Sequence, residues 1–87
     1  MSTSAANDLR TSATATSVVV TDDAVHLTLT DGRELSVPLV WFPRLLAGTT
    51  EQRANWRLIG GGVGIHWSDL DEDVSVAGLL RGVRAPS

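Results

Sequence analysis

The 87-residue chain contains no cysteine, no lysine and no tyrosine. Without cysteine there is no disulfide framework, no thiolate zinc site and no cysteine nucleophile. Without lysine, Schiff-base chemistry and the lysine of a phosphate-binding loop are excluded. No apolar run approaches the roughly 18 residues a membrane helix needs, so no membrane partner is expected. Positive charge is scarce: seven arginines stand against ten carboxylates, for a net charge of −3. Nucleic-acid binders draw most of their affinity from neutralising phosphates, and these arginines are scattered, with only Arg81 and Arg84 close together near an end. Direct nucleic-acid binding is therefore not expected. Residues 1–16 are small and polar with one isolated leucine, unlike the charged and then apolar pattern of a secretory signal. They read as a solvated tail, and the cytoplasm is the expected compartment.

Order is expected from Ser17. Ser17-Val18-Val19-Val20-Thr21 is rich in β-branched residues, a strand signature. Asp22-Asp23 marks a turn. Val25, Leu27 and Leu29 then alternate with His26, Thr28 and Thr30, and the alternation resumes at Arg33-Glu34-Leu35-Ser36-Val37. A two-residue Asp31-Gly32 loop would place Leu29 opposite Glu34 and mix the two faces. A three-residue loop, Thr30-Asp31-Gly32, pairs Leu27 with Leu35 and Val25 with Val37, and sets Gly32 where a left-handed residue is needed. Pro38 ends the strand because it has no amide hydrogen to donate.

Pro43 is tolerated only in the first turn of a helix, so a short helix is predicted from Pro43 to Gly48. Leu45 and Leu46 would face the sheet, with Trp41 and Phe42 in the corner before it. Thr49-Thr50-Glu51-Gln52 reads as a capping box opening a second helix over 50–55. Trp56-Arg57-Leu58-Ile59 and Ile65-His66-Trp67 flank a glycine run and predict a further hairpin. The acidic stretch 68–73 reads as a solvated turn favouring the N-terminus of a last helix, capped by Ser75 and closed by Gly82. Residues 83–87 are expected to fray.

Chemistry-bearing patterns are few. Gly60-Gly61-Gly62-Val63-Gly64 lacks the lysine of a phosphate loop, and Trp67 stands where a dinucleotide fingerprint needs its third glycine. Asp69, Asp71 and Asp73 have the spacing of the first calcium-loop ligands, but Val74 and Leu80 occupy the positions of the required glycine and glutamate. His66 with these aspartates is a candidate weak metal site. His26 and His66 are each capable of general-base work, yet no nucleophile motif accompanies them. No catalytic residue, no metal site and no cofactor is therefore assigned. Three tryptophans and one phenylalanine supply large contact area for a core or a binding surface. At least one of Trp41 and Trp67 is expected in the core.

The string Ile59-Gly60…Gly62-Val63-Gly64-Ile65-His66-Trp67…Leu70-Asp71-Glu72-Asp73-Val74-Ser75-Val76…Gly78-Leu79-Leu80-Arg81-Gly82 resembles a widespread bacterial family known as a domain of unknown function. The hairpin with its Asp-Gly turn and the apolar-proline segment also match, so the resemblance spans roughly residues 17–82. It implies a small cytoplasmic accessory protein. Some relatives sit beside a second small gene in a toxin–antitoxin-like arrangement. Others carry a helix-turn-helix domain after this one, for which this chain leaves no length. The family supplies no catalytic residues to carry over.

These readings predict an α+β domain over 17–82: a small antiparallel sheet of three to five strands packed on two or three short helices. The strand Val18–Val20 would be an exposed edge, to be covered by dimerisation or by a partner strand. The expected function is non-catalytic binding of another protein, encoded by a neighbouring gene, in an antitoxin-like role. The expected partner surface is Trp56, Trp67, Asp69, Asp71, Glu72 and Asp73. A regulatory subunit in a nucleic-acid-bound complex and a metal- or small-ligand-binding domain are the alternatives.

Overall fold

The computed structural model describes residues 13–82, so most of the expected tail and the frayed end at 83–87 lie outside the described residues. Six strands form two three-stranded antiparallel sheets. The first is ordered β1-β2-β3, with β1 Ala15–Val20, β2 Ala24–Leu29 and β3 Glu34–Pro38; the second is ordered β4-β5-β6, with β4 Trp56–Ile59, β5 Gly64–Trp67 and β6 Glu72–Ser75. The α+β class stands. The expected sheet is divided in two because the helical segment at 39–54 separates the ribbons, and each closes its pairings locally.

The first sheet has the register that its apolar alternation demands. Leu27 pairs with Leu35 and Val25 with Val37, and Gly32 takes φ +92° in the connecting turn. On the other side of β2, Val18 meets Leu27 and Val20 meets Val25. Ala15 and Val18 are both buried although an odd interval separates them. A bulge between Ala15 and Ser17 inserts the extra residue that turns both toward the core. β1 is an edge strand of this sheet, as expected, with Val18 turned to the core and Val19 outward.

Pro38 ends β3 and a 3-10 turn over Leu39–Trp41 follows. Helix α1, Pro43–Leu46, starts with its proline in the first turn, where the missing N–H has no helical partner to lose. Leu45 is wholly buried, but Leu46 is 47% exposed. The expectation that both leucines face the sheet fails for Leu46, because adjacent residues on a helix point about 100° apart. Helix α2, Thr50–Ala54, opens with the capping box: Thr49 accepts from the Gln52 amide, and the Gln52 side chain accepts from the Thr49 amide. Helix α3, Val76–Leu80, has Ser75 as its cap, accepting from the Gly78 amide at 3.1 Å.

One apolar cluster joins the layers. Val25, Leu27, Val37, Leu39, Phe42 and Leu45 meet Ile65, Trp67, Val76 and Leu79 in it. Each fully buried aliphatic or aromatic side chain contributes about 1.5–3 kcal/mol. Gly62, in the turn between β4 and β5, lies close against the start of β1. Its φ is +101°, and a Cβ there would lie 2.4 Å from the Ala15 carbonyl oxygen. Arg53, on α2, ties α1 to the turn between β1 and β2. Its guanidinium donates to the Leu45 and Leu46 carbonyls at 2.8 and 2.9 Å and to Asp22 at 3.0 Å.

Candidate functional site

The pleat of the second sheet sorts its residues into two faces. Trp56, Trp67 and Glu72 form one cross-strand row, and Leu58, Ile65 and Val74 the next. This face turns to the core. The opposite face carries the rows Arg57–His66–Asp73 and Ile59–Gly64–Ser75.

This sorting divides the predicted partner surface. Trp67 has no exposed surface, and its indole N–H donates to the Arg53 carbonyl at 2.9 Å. Glu72 is 3% exposed. Neither offers a contact to a partner, because each shares the inward face of its strand with an apolar neighbour, Ile65 or Val74. Trp67 thus fulfils the core role expected of one tryptophan. Trp56 is half-buried against the core. Asp69, Asp71 and Asp73 are exposed. The acidic stretch is not all turn, since Glu72–Ser75 is a strand.

The hairpin between β5 and β6 is held at its tip. Asn55 donates to the Asp69 carboxylate at 3.0 Å. Arg44 donates to the Asp71 carbonyl and lies 3.8 Å from its carboxylate. Asp71 takes φ +50°, a conformation that aspartate and asparagine tolerate better than most residues. Burial pushes the Glu72 carboxyl above its ordinary range; Arg44 opposes this, while Asp73 and Asp71 reinforce it.

The outward face was not foreseen as a unit. His66 Nδ1 meets the Asp73 carboxylate at 2.5 Å. Arg57 lies beside His66 on β4, and no ion pair to it occurs among the described residues. Next to this row is a shallow groove of about 610 Å³, lined chiefly by Ile59, Val63, Gly64, Asp73, Ser75 and Ala77. Ile59 and Val63 are 39% and 46% exposed. The signal was present in the strand alternation: pairing the two segments around the glycine run sets Arg57 opposite His66. Among the described residues, no group of three or more His, Asp or Glu side chains is placed to hold a metal ion. None of the helices described is long and apolar enough to cross a membrane.

The profile of a family described as "Protein of unknown function (DUF2442)" matches residues 15–85. The chain belongs to the DUF2442 family. This DUF2442 chain is also similar to two solved bacterial structures. A crystal structure of a protein of unknown function from Rhodospirillum rubrum is 25% identical with a TM-score of 0.73, over 86% of this chain and 93% of the other. A solution structure of an uncharacterized protein from Chromobacterium violaceum is 27% identical with a TM-score of 0.74, over 95% of this chain and 82% of the other. No functionally curated protein matches the chain significantly. The resemblance read from the C-terminal string is confirmed as family membership.

Proposed function

We propose that this DUF2442 domain is a non-catalytic accessory module of the cytoplasm that docks on a basic protein partner. In this reading the partner is the product of an adjacent gene, which the domain neutralises in an antitoxin-like way. The observation that supports the reading is the β5–β6 hairpin. Asp69, Asp71 and Asp73 all stand exposed within five residues of one another, and Asn55 and Arg44 hold the tip in place. A fixed anionic projection accelerates encounter with a cationic surface without requiring buried charge. The half-buried Trp56 beside it, cross-strand from Trp67, supplies apolar area.

The test is co-expression with the neighbouring gene's product, comparing the native chain with the Asp69→Asn, Asp71→Asn double variant. Asparagine keeps the hydrogen bonding at 69 and the left-handed backbone at 71, and removes only charge. The reading expects a complex whose association rate falls about tenfold or more in the variant and with added salt. No complex, or one indifferent to both changes, refutes it. Mobility shift of DNA by the isolated chain would favour the nucleic-acid alternative instead.

A further inference from the structure

We infer that the outward face of the second sheet is a self-complementary surface that pairs with a second copy of the same chain. The argument starts from the order of charge along one row. Arg57, His66 and Asp73 lie on β4, β5 and β6, in register across the sheet. The cation is on one edge strand, the anion on the other, and the imidazole is between them. Neighbouring strands are about 4.8 Å apart, so the two ends of the row are separated by about 10 Å.

Two such faces can meet about a two-fold axis that lies between them and runs along β5. That rotation exchanges the β4 side with the β6 side and leaves the position along the strand unchanged. Arg57 of one copy then faces Asp73 of the other, and Asp73 faces Arg57. An isologous interface requires this reciprocity, in which residue i meets j while j meets i. Sheets stack about 10 Å apart, a gap that an arginine and an aspartate span together.

The second row obeys the same rotation. It is ordered Ile59, Gly64, Ser75, so Ile59 of one copy arrives over Ser75 of the other. That end of the face holds the shallow groove, bordered by Ser75 and Ala77, while Gly64 is buried beneath the Ile59 side chain, whose Cγ1 lies 3.0 Å from where a Gly64 Cβ would be. Ile59, 39% exposed, packs across Gly64 and forms one wall of the groove, so the rotation brings the apolar Ile59 wall of one copy against the Ser75 wall of the other. Val63, 46% exposed, extends the same apolar wall. A two-fold perpendicular to the strands would retain the strand side and set Arg57 against arginine's own edge, so the charge order selects the axis along β5.

A patch three strands wide and four residues long buries less than the about 1,200 Å² at which stable complexes begin. The dimer is therefore weak and reversible. Because its charges are exposed, it weakens further with salt.

Sedimentation equilibrium of the full chain at low salt, from about 10 μM to about 1 mM, reads the association directly. The native chain is expected to pass reversibly from monomer to dimer. Arg57→Glu and Asp73→Arg are each expected to weaken the dimer about tenfold or more, and the two substitutions together to restore it. A chain that stays monomeric throughout overturns the inference. So does a dimer that neither single change affects, or a double variant no better than the singles. The native protein supplies an independent measurement. Amide shifts that move with concentration should gather at Arg57, Ile59, His66 and Asp73; movement confined to the first sheet overturns the assignment. Asp69→Asn with Asp71→Asn leaves this association intact, so it stands or falls separately from docking on a basic partner.

Discussion

Replacing Trp67 probes the joint between the two sheets most directly. The side chain has no exposed surface, and a buried tryptophan removes about 150–250 Å² from water. At about 25 cal/mol per Å² this is about 4–6 kcal/mol of transfer free energy. Alanine keeps a small part of that, so Trp67→Ala is expected to cost about 3–5 kcal/mol. Trp67→Phe retains most of the apolar area. It deletes the indole N–H that donates to the Arg53 carbonyl at 2.9 Å, and an acceptor left without its donor costs about 1–3 kcal/mol. With the smaller ring's vacancy added, about 2–3 kcal/mol is expected for phenylalanine. A domain of this size has a total stability of only about 4–10 kcal/mol. The alanine variant should therefore be partly unfolded at 37 °C, and the phenylalanine variant folded with a melting point lowered by about 10 °C or more. Urea titration followed by far-UV circular dichroism gives both numbers without relying on tryptophan emission. A cost below about 1 kcal/mol for alanine would show that the indole does not lie in the shared core. A phenylalanine variant as stable as the native chain would show that the bond to Arg53 contributes nothing.

Three further substitutions test other parts of the fold. Glu72→Gln removes the charge whose burial raises the carboxyl pKa. Because the folded-state value lies above the unfolded one, the native chain's stability from this group is intact below the ordinary glutamate range and is lost as pH rises through the raised value. Glu72→Gln should therefore be the more stable protein at pH 7, its advantage shrinking toward pH 4, and thermal melts of the pair showing no such convergence would contradict the assignment. Gly62→Ala sets a Cβ 2.4 Å from the Ala15 carbonyl oxygen at φ +101°, and a loss of about 2–5 kcal/mol in urea unfolding is expected, combining left-handed strain with overlap; a loss under about 1 kcal/mol would mean the sheets do not approach there. Thr49→Ala removes the cap of α2, which accepts from the Gln52 amide at 3.1 Å, and should cost about 1 kcal/mol, with hydrogen exchange in 50–54 accelerating before the sheets are affected.

The features legible in the sequence are those decided by neighbouring residues. The Leu27–Leu35 register, the proline start of α1, the Thr49–Gln52 box and the Ser75 cap depend on alternation, turn chemistry or a three-residue reach, and all occur in the structure. The division into two sheets depends on pairings between ribbons that local pattern does not weigh. The inward turn of Glu72 was hidden by its own chemistry. In Asp71-Glu72-Asp73 every residue is acidic, so composition marks a solvated run, and only the pleat shared with Val74 shows which carboxylate is withdrawn. Leu46 misled in the opposite sense, as an apolar residue at the end of a helix of only four residues. The candidate outward face was partly legible: Asp73 stood in the predicted surface, whereas Arg57 and Ile59 acquire meaning only once β4 is paired with β5.

Arg53 has an implication for how the molecule comes apart. One side chain spans the end of α1 and the first turn of the first sheet, while the carbonyl of the same residue receives Trp67 from the second sheet. Opening the first ribbon takes Asp22 from a side chain only 12% exposed, whereas opening the second takes the indole donor from the carbonyl of the same residue. Both ribbons thus lean on one residue, and loosening of either is expected to reach the other through it.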